Sequence, residues 1–174
     1  IRVNYYEECI DAKAEEQFSS LTYLLPFGLA YVAFRGTDTT LIGWKEDFNM
    51  AFMQAVPSQK SAKEQLNKVA QLLDMPLITG GHSKGGNLAI YAAAKCDKDI
   101  QNKITCVYSH DGPGFRKDVV QTSGFKEVFP KVKKTVPEFS MIGMLLQHQS
   151  NYNVVESDEK FLMQHDPFSW KVGE

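Results

Sequence analysis

The residues Gly81-His82-Ser83-Lys84-Gly85 carry the spacing G-x-S-x-G. They fall between a short apolar run and an alanine-rich stretch of helical character, the context in which that spacing presents a nucleophile. A serine at the tip of a sharp strand-to-helix turn must take an unfavourable backbone conformation. Side chains two residues to either side would collide with neighbouring elements, and glycine removes the collision. Such a turn aims the Ser83 hydroxyl away from the sheet. It also sets the hydroxyl at a helix N-terminus, where backbone N–H groups such as that of Lys84 can stabilise developing negative charge.

A serine hydroxyl attacks poorly unless a base takes its proton, and the base needs a carboxylate to orient it. Downstream of Ser83 lie His110, His148 and His165. His165, in Gln164-His165-Asp166-Pro167, falls in a loop after the last expected strand and is the first choice; His148 is the second. Asp111 follows the strand after the nucleophile helix, at the sheet edge where α/β sites gather, and is the candidate acid. The same residue could instead open the Asp111-Gly112-Pro113-Gly114 turn by accepting backbone hydrogen bonds. A second oxyanion donor is expected from the loop after an earlier strand, and Thr37 in Phe34-Arg35-Gly36-Thr37 fills that place. Pairing of Arg35 with Asp38 would brace this loop, and His82 and Asn87 are read as shaping the elbow and its helix.

The elements that must position these groups can be read from periodicity. Leu21–Leu25 and Leu29–Phe34 are β-rich runs joined by Pro26-Phe27-Gly28, a hairpin. Ser61–Leu73 has helical spacing of Ala62, Leu66, Val69 and Leu72, with Ser61 as N-cap and Glu64 at the capping-box position. Leu77-Ile78-Thr79 reads as a short strand, Gly80-Gly81 as a sharp turn, and Asn87–Lys95 as a helix. Ile104–Tyr108 then completes a right-handed βαβ unit, so the class is α/β with a mostly parallel sheet flanked by helices. Phe115–Lys134 carries a weak helical pattern, and residues 115–137 form a candidate cap over the site. Phe139–Leu146 and Tyr152–Val155 read as further strands, and the chain ends in an aromatic stretch, Phe161–Trp170. Met141 and Met144 are read as core. Phe48, Met50, Phe52 and Met53 either line an acyl-chain channel or join the core.

Composition removes several classes of function. The 174 residues suffice for one domain that buries roughly 70% of its unfolded surface without crosslinks. Apolar residues at 43% and charged residues at 23% fit a globular chain rather than a disordered one. A net charge of −2 supplies no field for phosphates, which argues against nucleic acid as partner. Cys9, Cys96 and Cys106 are odd in number and lack C-x-x-C spacing, so neither a disulfide framework nor a zinc site is expected. No apolar run reaches the ~20 residues needed to cross a bilayer, and no signal-peptide core opens the chain. A cytoplasmic location is the resulting expectation, although the sequence starts at Ile1 rather than Met and reads as trimmed.

Ala33-Phe34-Arg35-Gly36-Thr37 together with Gly81-His82-Ser83-Lys84-Gly85-Gly86-Asn87-Leu88-Ala89 resembles the class 3, fungal-type lipases. With the late Gln164-His165-Asp166-Pro167-Phe168, the chain is still more similar to a bacterial group of lipase-like α/β hydrolases of unassigned function. The resemblance spans about Tyr31 to Trp170. It implies an α/β-hydrolase fold, Ser83 as nucleophile, His165 as base, and Thr37 with Lys84 at the oxyanion hole. The class 3 lipases carry their acid after the strand that here reads Phe139–Leu146, a stretch without Asp, so either Asp111 serves from the preceding strand or the triad is incomplete. The expectation is a serine hydrolase of a carboxylic ester, with a small-molecule or lipid ester as substrate and no metal or cofactor. Thioesterase or acyltransferase chemistry on the same fold is the alternative within enzymes. A binding module that kept the fold without the reaction is the alternative outside them.

Overall fold

A computed structural model describes residues 1–37, 49–50, 53, 55–147 and 151–173. Seven strands form one sheet in sequential order: β1 (Arg2–Asp11), β2 (Glu16–Leu25), β3 (Leu29–Phe34), β4 (Leu77–His82), β5 (Ile104–His110), β6 (Val132–Pro137) and β7 (Asn153–Val155). The first three are antiparallel, and β3 through β7 are parallel throughout. The expected hairpin is present, with Leu25 opposite Leu29 across the Pro26-Phe27-Gly28 turn. β1 was not read from the sequence, because its exposed edge lacks a clean period of two and a bulge between Asn4 and Glu7 breaks the alternation.

The α-helices that flank the sheet are α1 (Pro57–Leu72), α2 (Lys84–Lys95), α3 (Lys98–Lys103), α4 (Lys117–Val120) and α5 (Ser123–Val128), and short 3-10 turns occupy Phe129–Lys131, Phe161–His165 and Pro167–Ser169. α2 packs against β4 and β5 on one side and touches α1 and α5 on the other, so it occupies the middle of the helical layer. Its alanines and Leu88 are almost wholly buried over Val32, Leu77 and Val107 of the sheet. Small side chains let this helix lie close to the strands, which is what brings its N-terminus down to the sheet edge.

Several boundaries differ from expectation for identifiable reasons. α1 starts before Ser61, because Pro57 fills the first helical position and the Gln59 side chain accepts the Val56 N–H at 3.1 Å. Ser61 does not cap; its hydroxyl reaches across to Glu16 at 2.5 Å. β4 continues through Gly80 and Gly81 to His82, and the sharp turn falls at Ser83. Phe139–Leu146 is not a strand but a looped segment; the β-branched run that pairs with β5 is Val132–Pro137 instead. Those six residues therefore leave the candidate cap and enter the sheet. Within the rest of that segment, Phe125 of α5 is fully buried and its ring packs 4.7 Å from that of Phe115, against α2. Met141 and Met144, expected in the core, are 52% and 39% exposed.

Candidate functional site

Parallel strands in one sheet deliver their C-terminal ends to a common edge, and the candidate residues gather there. Ser83 follows β4 with φ 55° and ψ −129°, a strained conformation for a residue with a side chain, and α2 begins at the next residue. The turn is closed by the Ser83 N–H donating to the His110 carbonyl at 2.9 Å and by the Gly86 N–H donating back to the Ser83 carbonyl at 3.0 Å. Gly81 and Gly85 are required sterically, since a methyl group at either would overlap the Phe34 carbonyl. Lys84 opens α2, so its backbone N–H points out of the helix N-terminus. Its side chain is buried and donates to the carbonyl and side-chain oxygens of Gln17 at 2.7 and 2.9 Å, tying the elbow to β2.

The Ser83 hydroxyl lies 2.9 Å from His165 Nε2, and His165 Nδ1 lies 2.6 Å from Asp111 Oδ2. Three residues from three separate segments thus form one hydrogen-bonded chain. Asp111 is 1% exposed and has φ 48°, a left-handed backbone that Asp tolerates better than most residues. Its carboxylate does not bond within its own turn. Oδ1 accepts from the Gly143 N–H at 3.1 Å and from the Ser140 hydroxyl. The turn is instead fixed by Asn87, whose amide donates to the carbonyls of Pro113 and Gly114 while its oxygen accepts from Gln59 at 2.8 Å.

Thr37 lies three residues beyond the end of β3, and the adjoining Gly36 lies against the His82 carbonyl and the Ser83 side chain. Asp38, Phe48, Phe52 and His148 lie outside the described residues. Arg35, expected to pair with Asp38, reaches Glu8 of β1 at 3.0 Å. Met50 is buried, Met53 is 44% exposed, and both border a small cleft with Phe115, Arg116 and Val119. His110 is not part of the Ser83 chain; its ring stacks on Tyr108, and burial lowers its pKa. Lys134 on β6 is buried, donates to the Gly143 carbonyl, and is pushed down to about 8 by desolvation against the opposing pull of Asp111.

Sequence reasoning missed the partners that hold the loops. His82 Nε2 lies 2.7 Å from the His165 carbonyl, so this nitrogen carries the proton, and the two rings are 4.6 Å apart. Gln164 accepts the Phe139 N–H at 2.7 Å and donates to the Glu159 carbonyl, and Trp170 Nε1 donates to the Gln164 carbonyl. The glutamine beside the histidine, buried in an otherwise exposed turn, is the signal that could have flagged this role.

Burial, and then the neighbouring His165, lower the pKa of His82 to about 4, against 6.5 for a free imidazole. Between those values the unfolded chain binds a proton that the folded chain does not. The His82 contribution is therefore complete above about pH 6.5 and is lost as pH falls toward 4. His82→Gln should narrow the drop in unfolding free energy between about pH 7 and about pH 4.5 by roughly 2–3 kcal/mol relative to the native chain. Urea titrations at the two pH values check this, and equal drops would count against it.

The fold and site can be set beside known proteins. The Rhizomucor miehei lipase, in its native propeptide complex, superposes with a TM-score of 0.57 at 12% identity, covering 88% of this chain and 56% of that one. M37 lipase gives 0.59 at 15% identity, over 82% and 56% of the two chains. A fungal lipase–inhibitor complex gives 0.54 at 13% identity, over 90% and 64%. At such identities the likeness establishes the α/β-hydrolase fold, and the chain spans little more than half the length of the first two. No curated protein sequence matches the chain. The profile of the Mbeg1-like family matches residues 1–174, end to end, and the chain therefore belongs to the Mbeg1-like family.

Proposed function

We propose that this protein is a serine hydrolase that cleaves a carboxylic ester through an acyl-enzyme intermediate. The observation that carries the reading is the unbroken hydrogen-bonded chain from Ser83 Oγ through His165 to Asp111, with Ser83 on a strained elbow. Ser83 Oγ attacks the ester carbonyl while His165 Nε2 takes its proton. Asp111 Oδ2 accepts from Nδ1–H, keeps the imidazole in the tautomer whose Nε2 lone pair faces the serine, and stabilises the imidazolium. The developing oxyanion is met by the backbone N–H groups of Lys84 and Thr37, each worth roughly 2.7–4 kcal/mol of barrier lowering in such sites. The imidazolium then protonates the leaving alcohol, and water, activated by the same histidine, releases the acid.

A lipid-like ester suits the surroundings. Phe139, Leu145, Phe161, Leu162 and Met163 are all at least 44% exposed, on the loops that hold Asp111 and His165, and the Phe139 and Phe161 rings touch edge to face. Such apolar surface beside a polar reaction centre fits an acyl chain. A binding module that abandoned the reaction would not need the serine and imidazole within hydrogen-bond reach, so this geometry favours the enzyme. The test is hydrolysis of p-nitrophenyl esters of graded chain length. Turnover that rises with acyl length supports the lipid-like assignment; turnover of short chains alone redirects it to a small ester, and no turnover together with no fluorophosphonate labelling overturns it.

A further inference from the structure

Each parallel strand from β3 to β7 ends beside the site, and four of the five supply a group already assigned: Thr37, Ser83 with Lys84, Asp111, and His165. β6 supplies Ser140, three residues beyond its end. The Ser140 hydroxyl donates to Asp111 Oδ1, which also takes the Gly143 N–H at 3.1 Å, while Oδ2 alone faces His165 at 2.6 Å. The loop that carries both donors is itself held at two points. The Lys134 ammonium grips the Gly143 carbonyl, and Gln164 accepts the N–H of Phe139, the residue before Ser140. Asp111 has no hydrogen bond from its own turn to fix its side-chain rotation, so the clamp on Oδ1 determines which way Oδ2 points.

We propose that Ser140 is a positioning residue for the triad acid, and that the loop after β6 acts as a clamp setting the His165 tautomer through Asp111. This rests on the reading of Ser83, His165 and Asp111 as a catalytic triad. With the hydroxyl removed, Oδ1 keeps one donor and the carboxylate turns, so Nδ1–H loses its aligned acceptor and the imidazole shifts toward the Nε2–H form, which cannot accept the serine proton. A hydroxyl that served only to fill space or steady the loop would leave the tautomer unchanged.

The experiment compares the native chain with Ser140→Ala and Ser140→Thr in three measurements: fluorophosphonate labelling rate, melting temperature, and the ¹H–¹⁵N signature of the His165 imidazole, which reports its tautomer. Ser140→Ala is expected to slow labelling roughly 10- to 100-fold, as small misplacements of catalytic groups do. It should also raise the Nε2–H fraction, while Ser140→Thr, which retains the hydroxyl, stays near native. An unchanged tautomer in a folded Ser140→Ala variant overturns the proposal, whatever its labelling rate. A native chain that neither labels nor turns over esters, yet shows the tautomer shift in Ser140→Ala, would instead overturn the hydrolase reading and leave the clamp standing.

Discussion

Replacing Ser83 with alanine is expected to abolish covalent labelling by a fluorophosphonate and to lower ester turnover by about 10⁶-fold, the usual cost of losing a triad nucleophile. The change removes only an oxygen. The strained turn, whose backbone bonds run from Ser83 to His110 and Gly86, does not depend on the hydroxyl, so the variant should fold with near-native stability. Turnover and labelling measured beside a thermal melt separate the two quantities. Labelling of Ser83→Ala at the native rate would place the reactive group elsewhere and end the assignment.

Asp111→Asn should be almost as damaging for a different reason. The amide oxygen can still accept from Ser140 and Gly143, so the buried site stays satisfied and the fold survives. The amide nitrogen, however, donates where the carboxylate accepted. It favours the imidazole with a bare Nδ1 and a protonated Nε2, and Ser83 then faces a donor instead of a base. Such a change lowers kcat by about 10⁴-fold in triads of this kind, with KM little altered. A variant within tenfold of native turnover would show that His165 works without this carboxylate.

The strained turn at Ser83 was legible in sequence because its constraint is local. Glycines two residues either side of a serine, between an apolar run and an alanine-rich helix, admit few other conformations. The βαβ unit around it followed from the same short window. The meeting of His165 and Asp111 with Ser83 was legible through order along the chain together with position after strands. Ser140 and His82 were not, since each acts on a residue that is near only after folding: Ser140 on Asp111, His82 on the His165 carbonyl. The strand β6 was misplaced for a physical reason as well. Val132-Lys133-Lys134-Thr135 carries two lysines where a central parallel strand is expected to be apolar, and Lys134 is accommodated by capping the Gly143 carbonyl rather than by solvent. Phe139–Leu146 has the apolar composition of a strand but spends it on exposed surface beside the site.

β7 has three residues and pairs with β6 alone, through Thr135, Val136 and Pro137. The segment that carries His165 thus leaves from the narrowest margin of the sheet, while Ser83 and Asp111 follow β4 and β5 nearer its middle. Margins of this kind open at a fraction of the free energy needed to unfold a whole domain. Mild denaturant should therefore disarm the molecule while its centre is still intact, with reactivity toward a phosphonate fading at a lower urea concentration than the one that dissolves the helical layer.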